Sequence, residues 1–264
     1  MSLSIATWNV NSVKARLPTV LRWMDEAKPD VVGFQEIKTV DEAFPRLEFE
    51  DRGYNLVVHG QKSYNGVALL SKLPIEEVQV GLPGDDGDDQ ARYVEAVLSH
   101  PKGPIRYATL YLPNGNPVRP DSSKYPYKLA WMERLRARAR ELLAQEDFTV
   151  FGGDYNVIPR PADVHDPEGW WGDALFRQET LDSFRALLAE GLTSAFMQAS
   201  GAAGQYTFWD YQGGAWPRNH GIRIDHLLCS PHAIDRLAEL RIDRHVRDWP
   251  KPSDHVPVVG IFDL

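Results

Sequence analysis

Nine short apolar runs, none longer than seven residues, recur along the chain with helical patterns between them: Ser4 to Trp8, Val31 to Gln35, Leu56 to His59, Val67 to Leu70, Val94 to His100, Ile105 to Tyr111, Phe148 to Phe151, Ile224 to Cys229 and Val256 to Phe262. Strands this short cannot stand alone, so the pattern demands at least one large sheet. Helical periodicity is clearest over Pro18 to Ala27, where proline takes a first-turn position, over Lys128 to Gln145 and over Leu175 to Glu190. This mixture predicts an α/β architecture with helices packed outside the sheets. Gly, Pro and Ser are scattered as turn punctuation, no repeat interrupts the pattern, and 43% hydrophobic residues suffice for a sizeable core, so one domain over residues 1–264 is expected.

The chain enters a strand pattern within its first residues, without the basic and apolar regions of a secretory leader, and no stretch reaches the length of a membrane span. Cys229 is the single cysteine, which excludes an intrachain disulfide and a cysteine-cluster metal site. These features predict a cytoplasmic protein with no membrane partner, and Cys229 reads as a small core residue of its strand. A formal charge of −8 argues against bulk electrostatic attraction to nucleic acid, so any such partner needs local positive charge or a bound metal. The acidic run Gly84 to Asp89 lacks the spacing and closing Glu of an EF-hand and reads as a solvated turn.

Several strand patterns end in chemically capable residues: Trp8 leads to Asn9, Gln35 to Glu36, Leu110 to Tyr111, Phe151 to Asp154 through Gly152 and Gly153, and Ile224 to Asp225. Any one is an ordinary strand terminator, but five together predict convergence at one rim. Phosphodiester hydrolysis needs an activated water, neutralisation of the phosphate oxygens and help for the leaving group. Glu36 is the natural anchor for magnesium, which prefers hard oxygen ligands. The two glycines are expected to turn the backbone so that Asp154 faces a substrate as general base. Asn156 either points the same way in extended backbone or closes an Asx-type turn. Adjacent side chains in a strand point apart, so Asp225 is the candidate to orient His255, and Asp254 is free to approach a metal.

The ordered set Trp8-Asn9-Val10-Asn11, Gln35-Glu36-Ile37-Lys38, Tyr64-Asn65-Gly66-Val67-Ala68, Leu112-Pro113-Asn114, Gly152-Gly153-Asp154-Tyr155-Asn156, Arg223-Ile224-Asp225 and Ser253-Asp254-His255 resembles the exonuclease III family of bacterial apurinic/apyrimidinic endonucleases, within the endonuclease/exonuclease/phosphatase superfamily. The resemblance implies a four-layer α/β sandwich, two face-to-face β-sheets flanked by helices, with one active site at their shared rim. It implies magnesium, or manganese in its place, held by Glu36 with Asn9 and Asp254 nearby and with Asp154 and Asn156 within reach. It implies Asp154 as the residue that activates water, Asn156 as its helper, His255 as the phosphate-binding histidine oriented by Asp225, and Tyr111 at the scissile phosphate or leaving group. The implied reaction is DNA repair: cutting 5′ to abasic sites in duplex DNA, with 3′-to-5′ exonuclease and 3′-end-cleaning activity, by a monomer. Many relatives carry Asp where this chain has Asn11.

Duplex DNA requires phosphate contacts, and Lys14, Arg16, Lys38, Lys62, Arg119, Lys124, Arg218 and Arg223 lie in candidate loops. Lys38 and Asn114 adjoin the catalytic motifs and are the strongest of the DNA-facing candidates. Within Tyr206 to Tyr211, either Phe208 or Trp209 matches the wall of an abasic-sugar pocket, and Trp209 is favoured. The connection from Pro113 to Tyr127 is too long for a turn and is expected to line the cleft. Trp170 and Trp171 are expected to pack against the sandwich. With no base-reading module in the sequence, recognition should depend on damage or DNA ends. Two rivals remain: a superfamily phosphodiesterase for another phosphate ester, which would lack the Gln-Glu-x-Lys pattern and the aromatic pocket, and a non-catalytic binding relative, which should have lost acids that are all present here.

Overall fold

The structure is a computed structural model and describes residues 2–199 and 202–264. Among these residues the strands run β1 (Ser2–Asn9), β2 (Val31–Gln35), β3 (Asn55–His59), β4 (Val67–Ser71), β5 (Ile75–Val80), β6 (Tyr93–Leu98), β7 (Ile105–Tyr111), β8 (Phe148–Asp154), β9 (Thr193–Ser194), β10 (Asp225–Cys229), β11 (Leu237–Ile242) and β12 (Val258–Asp263). The α-helices are α1 (Leu17–Ala27), α2 (Arg46–Glu50), α3 (Lys124–Leu143), α4 (Pro167–Trp170), α5 (Gln178–Ala189), α6 (Ala195–Ala199), α7 (Ala215–Arg218) and α8 (Pro231–Ile234). None of them is long and apolar enough to cross a membrane.

The strands form two six-stranded sheets, in the orders β11-β12-β1-β2-β4-β3 and β5-β6-β7-β8-β10-β9. Each is mixed: β1 and β2 are parallel at the centre of the first, β7 and β8 at the centre of the second, and antiparallel partners flank both pairs. Period-two alternation then sorts side chains by face. Along β1, Leu3 and Ile5 enter a core with Val31, Leu69, Tyr107, Val150 and Leu227 of both sheets, whereas Ala6 and Trp8 pack outward with Val20, Trp23 and Met24 of α1. Outside the second sheet, Ala108, Leu110, Phe151 and Leu228 meet Trp131 and Leu135 of α3 and Phe184 and Leu187 of α5. Helix, sheet, sheet and helix are the four layers of the α/β sandwich that the resemblance implied.

Helix α1 carries proline in its first turn as expected, and α3 begins four residues earlier than its apolar periodicity indicated. Strands β5, β9 and β11 were not legible in the sequence, and all three are sheet edges. Edge strands face solvent: β5 is Ile-Glu-Glu-Val-Gln-Val with most residues exposed, so it shows no apolar run. Cys229 is fully buried in the sheet-to-sheet core. In the acidic turn, Asp85 and Asp86 face solvent, but Asp88 is anchored by Arg134 at 2.7 Å and by the Tyr127 hydroxyl at 3.0 Å.

On the outer face of β10, His226 lies among Tyr155, Phe184 and Phe196 and donates from Nε2 to the Val157 carbonyl at 3.1 Å. Burial, with the nearby positive charge of Arg223, lowers its pKa to about 3 from an ordinary 6.5. The folded state therefore resists protonation while the unfolded chain takes the proton. The neutral ring's contribution is intact above pH 6.5 and is lost as pH falls toward 3, at about 1.4 kcal/mol per pH unit. Replacing His226→Phe should make the melting temperature less sensitive to acid between about pH 7 and about pH 4.5 than in the wild type, as read by calorimetry; equal sensitivity would contradict it.

Candidate active site

The inner faces of the two sheets change character along their length. At the base they are aliphatic, but toward the rim Gln35 donates to the hydroxyls of Thr7 and Thr109, each at 2.9 Å, and the Tyr107 hydroxyl donates to the Ala6 carbonyl at 2.8 Å. At two positions in this polar layer a side chain would collide, between the sheets at Gly33 and within the second sheet at Gly152. A Cβ on Gly33 would lie 2.4 Å from the Thr109 hydroxyl, and one on Gly152 would lie 2.5 Å from that of Tyr107. Gly152 and Gly153 are thus regular residues of β8, in place of the sharp turn expected of them: they permit close approach and leave the strand straight.

Above this layer the registers collect the functional side chains. Tyr111, Asp154 and Asp225 stand side by side on β7, β8 and β10, and Asn9 on β1 is paired with Gln35, the residue before Glu36. Asn9 Nδ2 donates to Glu36 Oε1 and to Asp154 Oδ2, both at 2.9 Å, and so joins a carboxylate of each sheet. His255 Nδ1 lies 2.9 Å from Asp225 Oδ2, and its Nε2 lies 3.7 Å from Asp154 Oδ2. Asp225 is therefore the orienting carboxylate expected. The segment bearing His255 is tied to the end of β1: the Trp8 indole donates to the His255 carbonyl at 3.1 Å and Ser253 Oγ to the Asn9 carbonyl at 2.7 Å.

Glu36, Asp154 and His255 each place a ligand atom within 4.8 Å of the others, a cluster that could hold a metal ion. The other residues of the ligand set read from the sequence lie around this cluster. Asn9 turns its amide nitrogen to the two carboxylates while its Oδ1 accepts the Asn11 N–H at 3.0 Å, so it bridges the acids. Asn156 is left-handed, with φ of 46°, and its N–H donates to Asp154 Oδ1 at 2.9 Å, which is the Asx-type turn. Its carboxamide faces Leu112 and Asn114. Asp254 stands outside the trio and accepts from Asn11 Nδ2 at 3.0 Å. Asn11 in turn accepts from Lys38 at 2.6 Å, so its amide links an acid to a base, which an aspartate could not do.

Charge is unevenly distributed. Burial raises the Asp154 carboxyl, Asp225 adds to the rise, and His255 opposes it. Burial disfavours a charged His255, but Asp225, Asp154 and Asp254 outweigh it and raise the ring well above an ordinary histidine, so it is an imidazolium at neutral pH. Burial favours neutral Glu36, yet Lys38 at 2.9 Å and the Asn9 hydrogen bond hold its pKa down. Tyr111 stays protonated, through burial and the charges of Glu36 and Asp154. Glu36 and Lys38 both have positive φ, 49° and 53°, a conformation that costs energy and fixes the loop after β2.

These groups open into a cavity of about 390 Å³ that Asn114, Asn116, Trp170 and Phe208 help to line. The connection after Pro113 forms part of it, as expected. Phe208 is the aromatic wall, with its ring edge-on to His255 at 4.9 Å, while the favoured Trp209 is fully buried behind it. Arg223 is also misassigned as a DNA contact: it is 2% exposed, pairs with Asp163 and stacks over Phe196 at 4.3 Å. Of the other loop cations, Lys14, Lys62, Arg119, Lys124 and Arg218 are exposed, and Arg16 is half-buried against Tyr211. Trp170 packs partly under the cleft, whereas Trp171 is 56% exposed, contrary to expectation. His165 and His220, which were assigned no role, stack 4.6 Å apart in the cavity.

Acids from two apposed sheets, a charged histidine and an open cleft define a hydrolase of phosphate esters. The chain belongs to the Endonuclease/Exonuclease/phosphatase family, whose profile matches residues 6–255. It is 30% identical to Exodeoxyribonuclease III of Haemophilus influenzae over 98% of this chain and 100% of that protein. The fold matches a 3′ phosphatase, NExo, from Neisseria bound to a product DNA hairpin, with TM-score 0.94 and 35% identity over 99% of this chain and 100% of that one. It also matches an AP endonuclease from Archaeoglobus fulgidus, with TM-score 0.93 and 36% identity over 99% and 100% of the two chains.

The placements of Arg223, Trp209 and Phe208 are separable by experiment. Arg223→Ala removes one of the two arginine partners of buried Asp163, which keeps Arg160 at 3.0 Å, and should cost about 1–3 kcal/mol of stability. Trp209→Ala should cost about 3–5 kcal/mol by opening a cavity. Phe208→Ala should leave stability closer to wild type but weaken binding of a duplex with an abasic site, measured by fluorescence anisotropy. The reverse ranking of Phe208 and Trp209 would contradict this assignment.

Proposed function

We propose that this protein is a DNA repair nuclease that hydrolyses phosphodiesters, cutting 5′ to abasic sites in duplex DNA and also acting as a 3′-to-5′ exonuclease and 3′-end-cleaning enzyme. The observation that carries the reading is the convergence of Glu36, Asp154 and His255 within 4.8 Å at a cleft. The reading is supported by the relatives named above, an exodeoxyribonuclease, a 3′ phosphatase bound to DNA and an AP endonuclease, and by Lys38 beside Glu36. In this proposal residues 1–264 act as one catalytic domain, as a cytoplasmic monomer.

Asp154 is the general base. One of its oxygens is held by Asn9 and the other by the Asn156 N–H, so its position is set before substrate arrives. Burial raises its affinity for a proton, which suits the removal of one from an attacking water. His255, kept charged and oriented by Asp225, donates from Nε2 to a non-bridging phosphate oxygen. Tyr111, still protonated, donates to the phosphate or the departing oxygen in this reading. Glu36 and Asp154 would hold Mg²⁺, or Mn²⁺ in its place, which when bound neutralises charge on the phosphate. Lys38 and Asn114 contact the DNA backbone beside the cleft.

Incubation with an intact blunt duplex and with one carrying a single abasic site, each with Mg²⁺ and with chelator, tests the function. Mg²⁺-dependent cleavage 5′ to the lesion is expected; no metal-dependent cleavage of either duplex would refute it. Asp154→Asn should lower turnover by at least roughly a thousandfold with DNA binding largely retained, and near-normal turnover would remove Asp154 as the base.

A further inference from the structure

Lys128 belongs to α3, outside the second sheet, yet it is fully buried. Its Nζ donates to the Asn156 carbonyl at 2.5 Å and to the Asn114 carbonyl at 3.1 Å. Among the described residues no carboxylate forms an ion pair with it. Burying an amine against main-chain oxygens alone costs stability, so this placement calls for a compensating role. Burial pulls its pKa down to about 7, and the ammonium and the neutral amine both carry enough N–H donors for the two carbonyls.

The local backbone is arranged around this side chain. Gly115 has φ of +90°, and a Cβ there would sit 2.8 Å from Lys128 Cδ, so only glycine lets the loop after β7 lie over the lysine stem. Asn156 is left-handed and directs its carbonyl at the amine while its N–H reaches Asp154. Asn114 Nδ2 donates to Asn156 Oδ1 at 3.1 Å, which closes the connection between the two loops. The amine is thus the hub between the chain leaving β7 and the turn leaving β8, and both Asn114 and Asn156 line the cleft.

We propose that Lys128 is a positioning residue for the reaction: through the Asn156 and Asn114 carbonyls it fixes the turn after β8, so that the Asn156 N–H holds the Asp154 carboxylate in place. The inference rests on the reading of Asp154 as base. It acts behind the site, with no contact to DNA, so its loss should affect turnover and spare binding.

Lys128→Met preserves the length of the stem and removes the donors. On a duplex with one abasic site, kcat per folded molecule should fall about 10- to 100-fold with KM changed less than about twofold. Amide hydrogen exchange at Asn156 should accelerate in the same variant. In an Asp154→Asn background the Lys128→Met change should add little further loss. A Lys128→Met protein with kcat within about twofold of wild type and unchanged exchange at Asn156 would show a merely structural lysine and overturn the proposal. Should that variant fail to fold, Lys128→Gln, which keeps a donor on a shorter stem, is read in the same two assays, with an intermediate loss expected and the same overturning result. The exchange measurement needs no catalysis, so it separates failure of this inference from failure of the nuclease reading: a wild type that cleaves no DNA refutes the latter alone.

Discussion

One amide group connects the two halves of the molecule chemically. Asn9 Nδ2 is shared between Glu36 on the first sheet and Asp154 on the second, at 2.9 Å to each, and every other feature of the site depends on the sheets meeting at the distance this requires. The distance is set below the site. Thr7, Gln35, Thr109 and Tyr107 replace aliphatic packing with a hydrogen-bonded layer, Gly33 leaves no side chain to hold the sheets apart, and Gly152 gives the Tyr107 hydroxyl room in its own sheet. Central parallel pairs in both sheets then direct the ends of β1, β2, β7 and β8 to the same rim. Asn9, Asp154 and Asp225 stand on strands and Glu36 follows β2 directly, and side chains carried on strands are held more precisely than those on loops.

Preorganisation also resolves an electrostatic difficulty. Asp154, Asp225 and Asp254 surround His255, and the chain as a whole carries −8, so an approaching phosphate meets an unfavourable field. The field is offset locally: the carboxylates keep His255 charged, Lys38 pairs with Glu36, and Asn11 carries the Lys38 contact on to Asp254. A cation at Glu36 and Asp154 would complete the neutralisation. The acids thus serve two ends, holding the positive charge in the site and leaving one of their number, Asp154, with a raised affinity for a proton.

Sheets with helices outside them were legible from the short recurring apolar runs and the rim from the polar residues that end them, whereas the pairing of two sheets face to face came from the resemblance. Asp225 behind His255 followed from the rule that neighbouring residues in a strand point apart. What could not be read has physical causes of its own. Edge strand β5 alternates with exposed polar residues and shows no apolar run, and β11 is interrupted by Glu239 and Arg241. The choice between Phe208 and Trp209 turned on one residue of register, and aromatic size does not reveal which of two adjacent rings faces a cavity. Arg223 looked like a surface cation because sequence gives no sign of Asp163 across the fold, and Lys128 looked like an ordinary helical lysine because its partners are main-chain oxygens from two distant loops.

The central claim is that Asn9, Glu36 and Asp154 work as one unit spanning both sheets. A double-mutant cycle on Asn9→Ala and Glu36→Gln, read as the single-turnover rate of cleavage of a duplex with one abasic site, tests it most directly. The account predicts strong coupling, about 1–3 kcal/mol, with the double variant little slower than the slower single variant. Additive losses would contradict it, because the two side chains would then act independently and the bridge between the sheets would carry no catalytic weight.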